Sequence, residues 1–386
     1  MKKKIIIFTY SLRIGGGAER IISSLTQKLS KKYEFYILTI QEFNNIYPIK
    51  GKYYSLNEKS MYFTKFLTYF KIYLLIRPIR FHKFIKSISP HLIISFLDLP
   101  NIYAIITKLL FSIKIPLIIS IRCNPRRMYK KEMRYLNFLI RTLYPLKLVN
   151  KIITVSKGVE MILENDYSIN KNKLKTIYNS IDIEKIIEMK GDRISKFNKL
   201  FHDTNIIKFI TIGRLRKVKG HQYLIDAFYE VKKQVPNSKL IILGEGPLRH
   251  ELEEKIKVMG LHNDVHLLGL KKNPYKYLAK SDIFVFSSKY EGFPNVLLEA
   301  LACGLPIIST DCETGPREIL GNGKYGILVN VMDIKDLKDK MILLAKNKDI
   351  KEKYSKISTE RAKYFNIQKD LIKWINLIES EMKANI

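Results

Sequence analysis

Apolar runs alternate with amphipathic stretches along the 386 residues, and this alternation constrains the fold more than any other feature. Ile5–Thr9, Tyr36–Ile40, Leu92–Phe96, Leu117–Ile121, Ile152–Val155 and Lys175–Tyr178 read as buried strands with helical patterns between them. The pattern restarts at Lys208–Ile212 and continues through Leu240–Leu243, Val265–Leu268, Ile283–Phe286, Ile307–Ser309 and Gly326–Val329. Strands without polar alternation, each followed by a helix, mean parallel sheets covered on both faces. Two such series predict two doubly wound domains, whose ligand-binding strand ends would face each other across a cleft. The length agrees, since one hydrophobic core rarely serves a chain this long. Asp182 to Asn205 is polar and rich in Lys, so the junction is expected there. Residues 1–185 are read as one Rossmann-like domain and 186–365 as a second. Residues 366–386 are read as a C-terminal helix crossing back to the first.

Composition narrows the class. A hydrophobic fraction of 46% belongs to a globular chain. Met1-Lys2-Lys3-Lys4 leads into an apolar run too short for a signal peptide. The apolar stretch Leu99 to Ile121 is broken by Lys108, Lys114 and Pro116 and reads as a helix, Asn101 to Phe111, then a strand, not as a membrane span. Cys123, Cys303 and Cys312 form no disulfide framework, which fits a reducing cytosol. His262 and His266 are four apart but flank a loop and a strand, so no metal site is expected.

Of the net charge of +32, residues 1–150 carry +21 and the remainder +11. The basic excess is interleaved with aromatics from Tyr62 to Lys71 and again at Arg77, Arg80, Phe81, Lys83, Phe84 and Lys86. An anionic membrane surface is the expected partner, each basic residue near it contributing about 1 kcal/mol. A solvated basic face is the plainer reading. Nucleic acid is not expected, because no recognised binding module is present.

Three segments carry candidate chemistry. The first strand runs into Ser11-Leu12-Arg13-Ile14-Gly15-Gly16-Gly17-Ala18-Glu19-Arg20 and then a helix. Glycines at such a turn let the backbone approach an anion, although Arg20 stands where a dinucleotide fingerprint needs a third glycine. In the second half, Gly213-Arg214-Leu215-Arg216-Lys217-Val218-Lys219-Gly220 follows a strand. A planar Arg and a flexible Lys converging there suit a diphosphate; a solvated basic turn is the alternative. The third segment is Tyr290-Glu291-Gly292-Phe293-Pro294-Asn295-Val296-Leu297-Leu298-Glu299, continuing to Gly304 and Pro306. Pro294 marks a helix start and Gly304 its stop. Glu299 is the only charge in that apolar helix, and burying it is costly unless a polar partner such as a ribose, or a neighbouring Lys or Arg, meets it. The helix start offers N–H groups to a phosphate, with Glu291 where an attached sugar would sit.

Gly213-Arg214 with Lys219-Gly220, then Gly244-Glu245-Gly246-Pro247-Leu248, then Glu291 and Glu299 with seven residues between, resemble the retaining glycosyltransferases of family 4. The resemblance covers nearly the whole chain and includes Gly16-Gly17-Ala18-Glu19-Arg20 and Tyr178-Asn179-Ser180-Ile181-Asp182. It is strongest toward the N-acetylgalactosamine transferases of bacterial lipid-linked oligosaccharide assembly, with capsule and O-antigen enzymes also similar. The resemblance implies the GT-B fold and a hexosyltransferase using a UDP-sugar, UDP-GalNAc or another N-acetylhexosamine donor, without cofactor or metal. Arg214 and Lys219 would bind the diphosphate and stabilise its charge as the sugar leaves. Glu291 would touch sugar hydroxyls, and Glu299 the ribose. Gly244, Glu245 and Gly246 would line the base pocket, with Phe293, Pro294, Asn295 and Val296 also on the donor. Gly16 and Gly17 would close over the phosphates or the acceptor. No D-x-D motif occurs, so a metal-held diphosphate is not indicated.

One departure stands out. Many relatives carry a histidine after the fourth strand, where this chain reads Ser120-Ile121-Arg122-Cys123-Asn124-Pro125, with no histidine from Leu92 to Phe201. Arg122 or Asn124 would substitute, and Asp98 and Gly15 join them as acceptor-side candidates. The expectation is a cytoplasmic enzyme, peripheral on the inner face of the membrane, acting on a polyprenyl-diphosphate-linked glycan. The rivals are a GT-B-fold sugar-nucleotide epimerase and a basic nucleic-acid-binding protein.

Overall fold

The computed structural model describes residues 2–12, 16–41, 47–56, 66–128, 134–194 and 198–384, in backbone only for 66–75 and 198. The chain forms two compact units, residues 1–179 with 368–386, and residues 180–367. Asp182 to Asn205, read as a junction, carries the helix Ile183–Lys190, capped by the Asp182 carboxylate on the N–H of Lys185. This helix is part of the second unit.

The first unit is built on seven strands: β1 (Lys3–Thr9), β2 (Tyr33–Thr39), β3 (Lys52–Ser55), β4 (Leu92–Phe96), β5 (Leu117–Ile121), β6 (Lys151–Thr154) and β7 (Leu174–Thr176). Their order is β3-β2-β1-β4-β5-β6-β7, with every pair parallel. The second unit repeats the plan with β8 (Ile207–Ile212), β9 (Ser238–Leu243), β10 (Val265–Gly269), β11 (Ile283–Phe286), β12 (Ile307–Thr310) and β13 (Ile327–Val329). Their order is β10-β9-β8-β11-β12-β13, again all parallel. Both sheets are therefore doubly wound, and the strand order reverses beside β1 in one and beside β8 in the other. Ligands bind such sheets outside the carboxyl ends of the strands at that reversal.

Central strands such as β4 and β5 are buried at every residue, which is why they show as continuous apolar runs. β3 escaped the sequence reading because it is a short edge strand, exposed at alternate residues. The helix expected from Asn101 begins at Asp98 instead. Leu97 turns the corner with φ +73°, and Pro100 is accommodated because a first-turn N–H needs no intrahelical partner.

The helix Phe66–Ile88 contains much of the basic, aromatic stretch; Tyr62 to Lys65 lie outside the described residues. Where side chains are described, the aromatics turn inward. Phe81 is fully buried and stacks on Phe8 at 4.4 Å, and Phe84 meets Tyr54 edge-on at 4.9 Å. Arg80, Lys83 and Lys86 stay exposed, so this part of the stretch is a core face backed by a basic face. Trp374 of the C-terminal helix Ile367–Lys383 is buried beside Phe96, ring centroids 6.1 Å apart.

Candidate functional site

In the second unit the reversal point is formed by β8 and the loop that leaves it. The N–H of Gly213 bonds the carbonyl of Leu243, and that of Gly244 the carbonyl of Gly269, bringing three strand ends together. Gly244 has φ +148°, and a Cβ there would run into the Gly213 carbonyl oxygen. Only glycine fits both demands. The basic loop then closes as a short 3-10 turn, Lys217–Lys219, before the helix His221–Gln234. Two bonds tie it to the strand end after β11: the Ser287 hydroxyl donates to the Lys219 carbonyl at 2.9 Å, and the Lys289 N–H to the Val218 carbonyl at 2.7 Å.

This tie places Lys219 beside Glu291. Nζ of Lys219 is 2.6 Å from Oε1 of Glu291, with both side chains largely buried. The Glu291 carbonyl in turn accepts the Thr314 hydroxyl. The helix that follows runs from Asn295 to Ala302, with Pro294 as the residue before its first turn and no side chain capping its N-terminus. It ends as the sequence implied: Gly304 is left-handed at φ +80°, the N–H of Gly304 bonds the Leu301 carbonyl, and that of Leu305 the Ala300 carbonyl. Glu299 lies in its middle, 1% exposed.

The remaining donor-side candidates divide. Glu245 is exposed and engages Arg249 at 2.6 Å, while Gly246 packs tightly against the Leu215 backbone. Phe293 is buried edge-on against Phe365, centroids 5.7 Å apart, so it contributes packing at this corner. Arg214 is exposed at the start of the loop, and Val296 is half-buried.

Three buried polar atoms in these segments have no hydrogen-bond partner: Oδ1 of Asn295, Oγ of Ser288 and Nδ1 of His221. Buried polar atoms are normally paired, so an orphan beside a basic loop marks a place where a ligand can supply the partner. Sequence reading passed over His221 and Ser288. The available signal was position, since His221 directly follows Lys219-Gly220 and Ser288 lies two residues past the end of β11. Burial, and secondly Lys219, push the imidazole of His221 down to about 4, so it is neutral near pH 7.

The first unit has its own polar cluster at the ends of β4 and β5. Asp98 opens the helix Asp98–Phe111, and its carboxylate accepts the Tyr144 hydroxyl at 3.2 Å and the Cys123 thiol at 3.7 Å. Arg122 donates to Oδ1 of Asn179 and, at 3.4 Å, to the Ser120 hydroxyl. Burial draws the guanidinium down to about 10, opposed by the Glu19 carboxylate. Asn124 is buried, and its Oδ1 accepts the N–H of Arg127 at 3.2 Å, so it caps the short helix Pro125–Met128. Gly16 and Gly17 start the helix Gly17–Leu29, where a Cβ on Gly16 would press against the Glu19 carboxylate. Gly15 lies outside the described residues.

Comparison with known proteins agrees with this architecture. Residues 15–185 match the family described as Glycosyltransferase Family 4, and residues 192–361 the family described as Glycosyl transferases group 1. A glycosyltransferase of Methanocaldococcus jannaschii is 36% identical over 86% of this chain and 88% of its own length. The Campylobacter jejuni N-acetylgalactosamine-N,N'-diacetylbacillosaminyl-diphospho-undecaprenol 4-alpha-N-acetylgalactosaminyltransferase is 32% identical over 97% of this chain and 99% of its own. Among solved structures, Anabaena HepE in complex with UDP and glucose covers 98% of this chain and 100% of its own at TM-score 0.78 and 17% identity. The two parallel sheets are those of the GT-B fold, and the family matches and relatives make the class a glycosyltransferase. The chain belongs to the group 1, family 4 glycosyltransferases.

Among the described residues no helix is long and apolar enough to cross a membrane.

Proposed function

We propose that the enzyme is a retaining glycosyltransferase working without a metal, which moves an N-acetylhexosamine from UDP to a polyprenyl-diphosphate-linked glycan. The Lys219–Glu291 pair beside an uncapped helix start is the observation that carries this reading. Arg214 and Lys219 hold the donor diphosphate, and the N–H groups near Asn295 and Val296 add the positive end of the helix. Glu291 accepts from sugar hydroxyls, and Glu299 from the ribose. As the bond from the anomeric carbon to the diphosphate oxygen breaks, fixed cations stabilise the charge left on that oxygen. The acceptor oxygen attacks on the same face, and its proton passes to the departing phosphate oxygen.

On the acceptor side, Asp98 and Arg122 meet the glycan or its diphosphate. The Campylobacter relatives, whose names place them on undecaprenol-linked glycans, support this acceptor class. HepE, solved with UDP, supports the donor nucleotide. The exposed Arg80, Lys83 and Lys86 support attachment to an anionic inner leaflet, where such an acceptor is found.

The test is transfer from UDP-GalNAc, UDP-GlcNAc and UDP-glucose to a polyprenyl-diphosphate sugar, with the anomeric configuration of product read by NMR. Product with inverted configuration, or activity abolished by EDTA and restored by a divalent ion, would overturn the mechanism. Arg214→Ala and Glu291→Ala are each expected to abolish transfer without changing the fold; full activity in both removes the site assignment.

A further inference from the structure

Asp98 sits where a carboxylate is hard to place by chance. Leu97, immediately before it, holds φ +73° and ψ 154°, a conformation that is strained for a non-glycine residue. That corner swings Asp98 to the end of β4, half-exposed, while the groups behind it are closed off from water. Tyr144 and Asn101 are both fully buried. The Tyr144 hydroxyl donates to Oδ1 of Asp98 at 3.2 Å and faces the Asn101 amide, Nδ2, at 3.4 Å. The same Nδ2 reaches the Ser120 carbonyl at 3.2 Å, which fixes the amide against β5. The Cys123 thiol approaches the other carboxylate oxygen, Oδ2, from the end of β5.

We infer that Tyr144 and Cys123 are positioning residues, which hold the Asp98 carboxylate so that it accepts a hydroxyl of the acceptor sugar other than the attacking one. The inference rests on the reading of Asp98 as an acceptor contact. Two donors on two different oxygens leave the carboxylate little rotational freedom, and a hydroxyl recognised by a fixed carboxylate is discriminated more sharply than one met by a mobile one. Burial drives the Tyr144 phenol well above its ordinary value, so it stays a donor across the working range of pH. The attacking hydroxyl keeps its proton for the departing phosphate, so Asp98 sets which acceptor binds and takes no part in bond making.

The experiment measures KM for acceptor, KM for UDP-sugar, kcat, and the slow hydrolysis of UDP-sugar by water in the absence of acceptor. Asp98→Asn and Tyr144→Phe should each raise the acceptor KM about tenfold. In Tyr144→Phe, donor KM and donor hydrolysis should stay at wild-type values, and the double variant should be no worse than Asp98→Asn alone. Cys123→Val should raise the acceptor KM by a smaller factor, and Cys123→Ser, which keeps a donor, should restore it. Should Tyr144→Phe fail to fold, the Val and Ser variants at Cys123 decide alone. A raised acceptor KM in Asp98→Asn with wild-type values in Tyr144→Phe and Cys123→Val overturns the inference and leaves the acceptor reading of Asp98 standing. A wild-type acceptor KM in Asp98→Asn removes both. An equal rise in acceptor and donor KM in Tyr144→Phe shows a purely structural role and also overturns the inference.

Discussion

Nζ of Lys219 stands 2.6 Å from Oε1 of Glu291, 72 positions further along the chain. The pair joins the two residues whose proposed duties differ most, one on the diphosphate and one on the sugar. Without donor, each neutralises the other; with donor, Lys219 is shared between a carboxylate and a phosphate. Glu291→Gln releases the lysine from its partner. UDP alone should then bind several-fold more tightly, because a partly buried cation no longer has a competing anion, while sugar transfer falls at least tenfold. Calorimetric titration with UDP and a steady-state assay check the two directions; weaker UDP binding would show that Glu291 supports the lysine.

His221 makes stability depend on acidity. Its folded value of about 4 lies below the ordinary 6.5, so the unfolded chain takes up the proton first as pH falls. Stability contributed by the neutral ring is therefore complete above pH 6.5 and is lost down to about pH 4. Relative to His221→Leu, the wild type should lose about 3 kcal/mol across that window, read from urea unfolding at several pH values.

Lys108 is 3% exposed, and its ammonium donates to the Ile115 carbonyl. Burial brings it down to about 8. The sign is opposite to that of a paired lysine: the charged form is disfavoured on folding, so stability rises as pH increases from about 8 toward the unfolded value. Lys108→Met should stabilise the protein at pH 7 by about 1 kcal/mol or more, with the gap closing by pH 10. Thermal unfolding at pH 7 and pH 10 measures both.

Gly244→Ala tests the meeting of strand ends. The added methyl would occupy the space of the Gly213 carbonyl oxygen, in a backbone conformation that L-residues rarely adopt. A loss of about 2 kcal/mol or more is expected, together with a raised KM for UDP-sugar, because Gly213 leads directly into Arg214.

Much of the architecture was legible because parallel strands buried on both faces are unbroken apolar runs, as in Leu92–Phe96 and Leu117–Ile121. β3 was not, since half its residues face water and Lys52-Tyr53-Tyr54-Ser55 has no run to notice. The early start of the helix at Asp98 was hidden because a left-handed leucine leaves no trace in composition. At the candidate site, Glu299 could be found as a lone charge in an apolar helix. The partnership of Lys219 with Glu291 could not, because it arises from a loop tied to a distant strand end through Ser287 and Lys289. Asn124, read as an acceptor-side contact, also caps a helix through its Oδ1, a role that Asn before Pro fits.

The helix Ile367–Lys383 brings Trp374 against Phe96 and Glu379 to Lys32, so the first unit takes in residues from both extremes of the chain. On the ribosome, residues 1–179 are therefore made before the second unit, and the unit they belong to is completed only after it. Its hydrophobic seat for Trp374 must wait, uncovered, while all of residues 180–367 are translated and free to fold. A nascent chain halted before Trp374 should expose that seat to chaperones, and the burden of quality control in the cell falls on this interval.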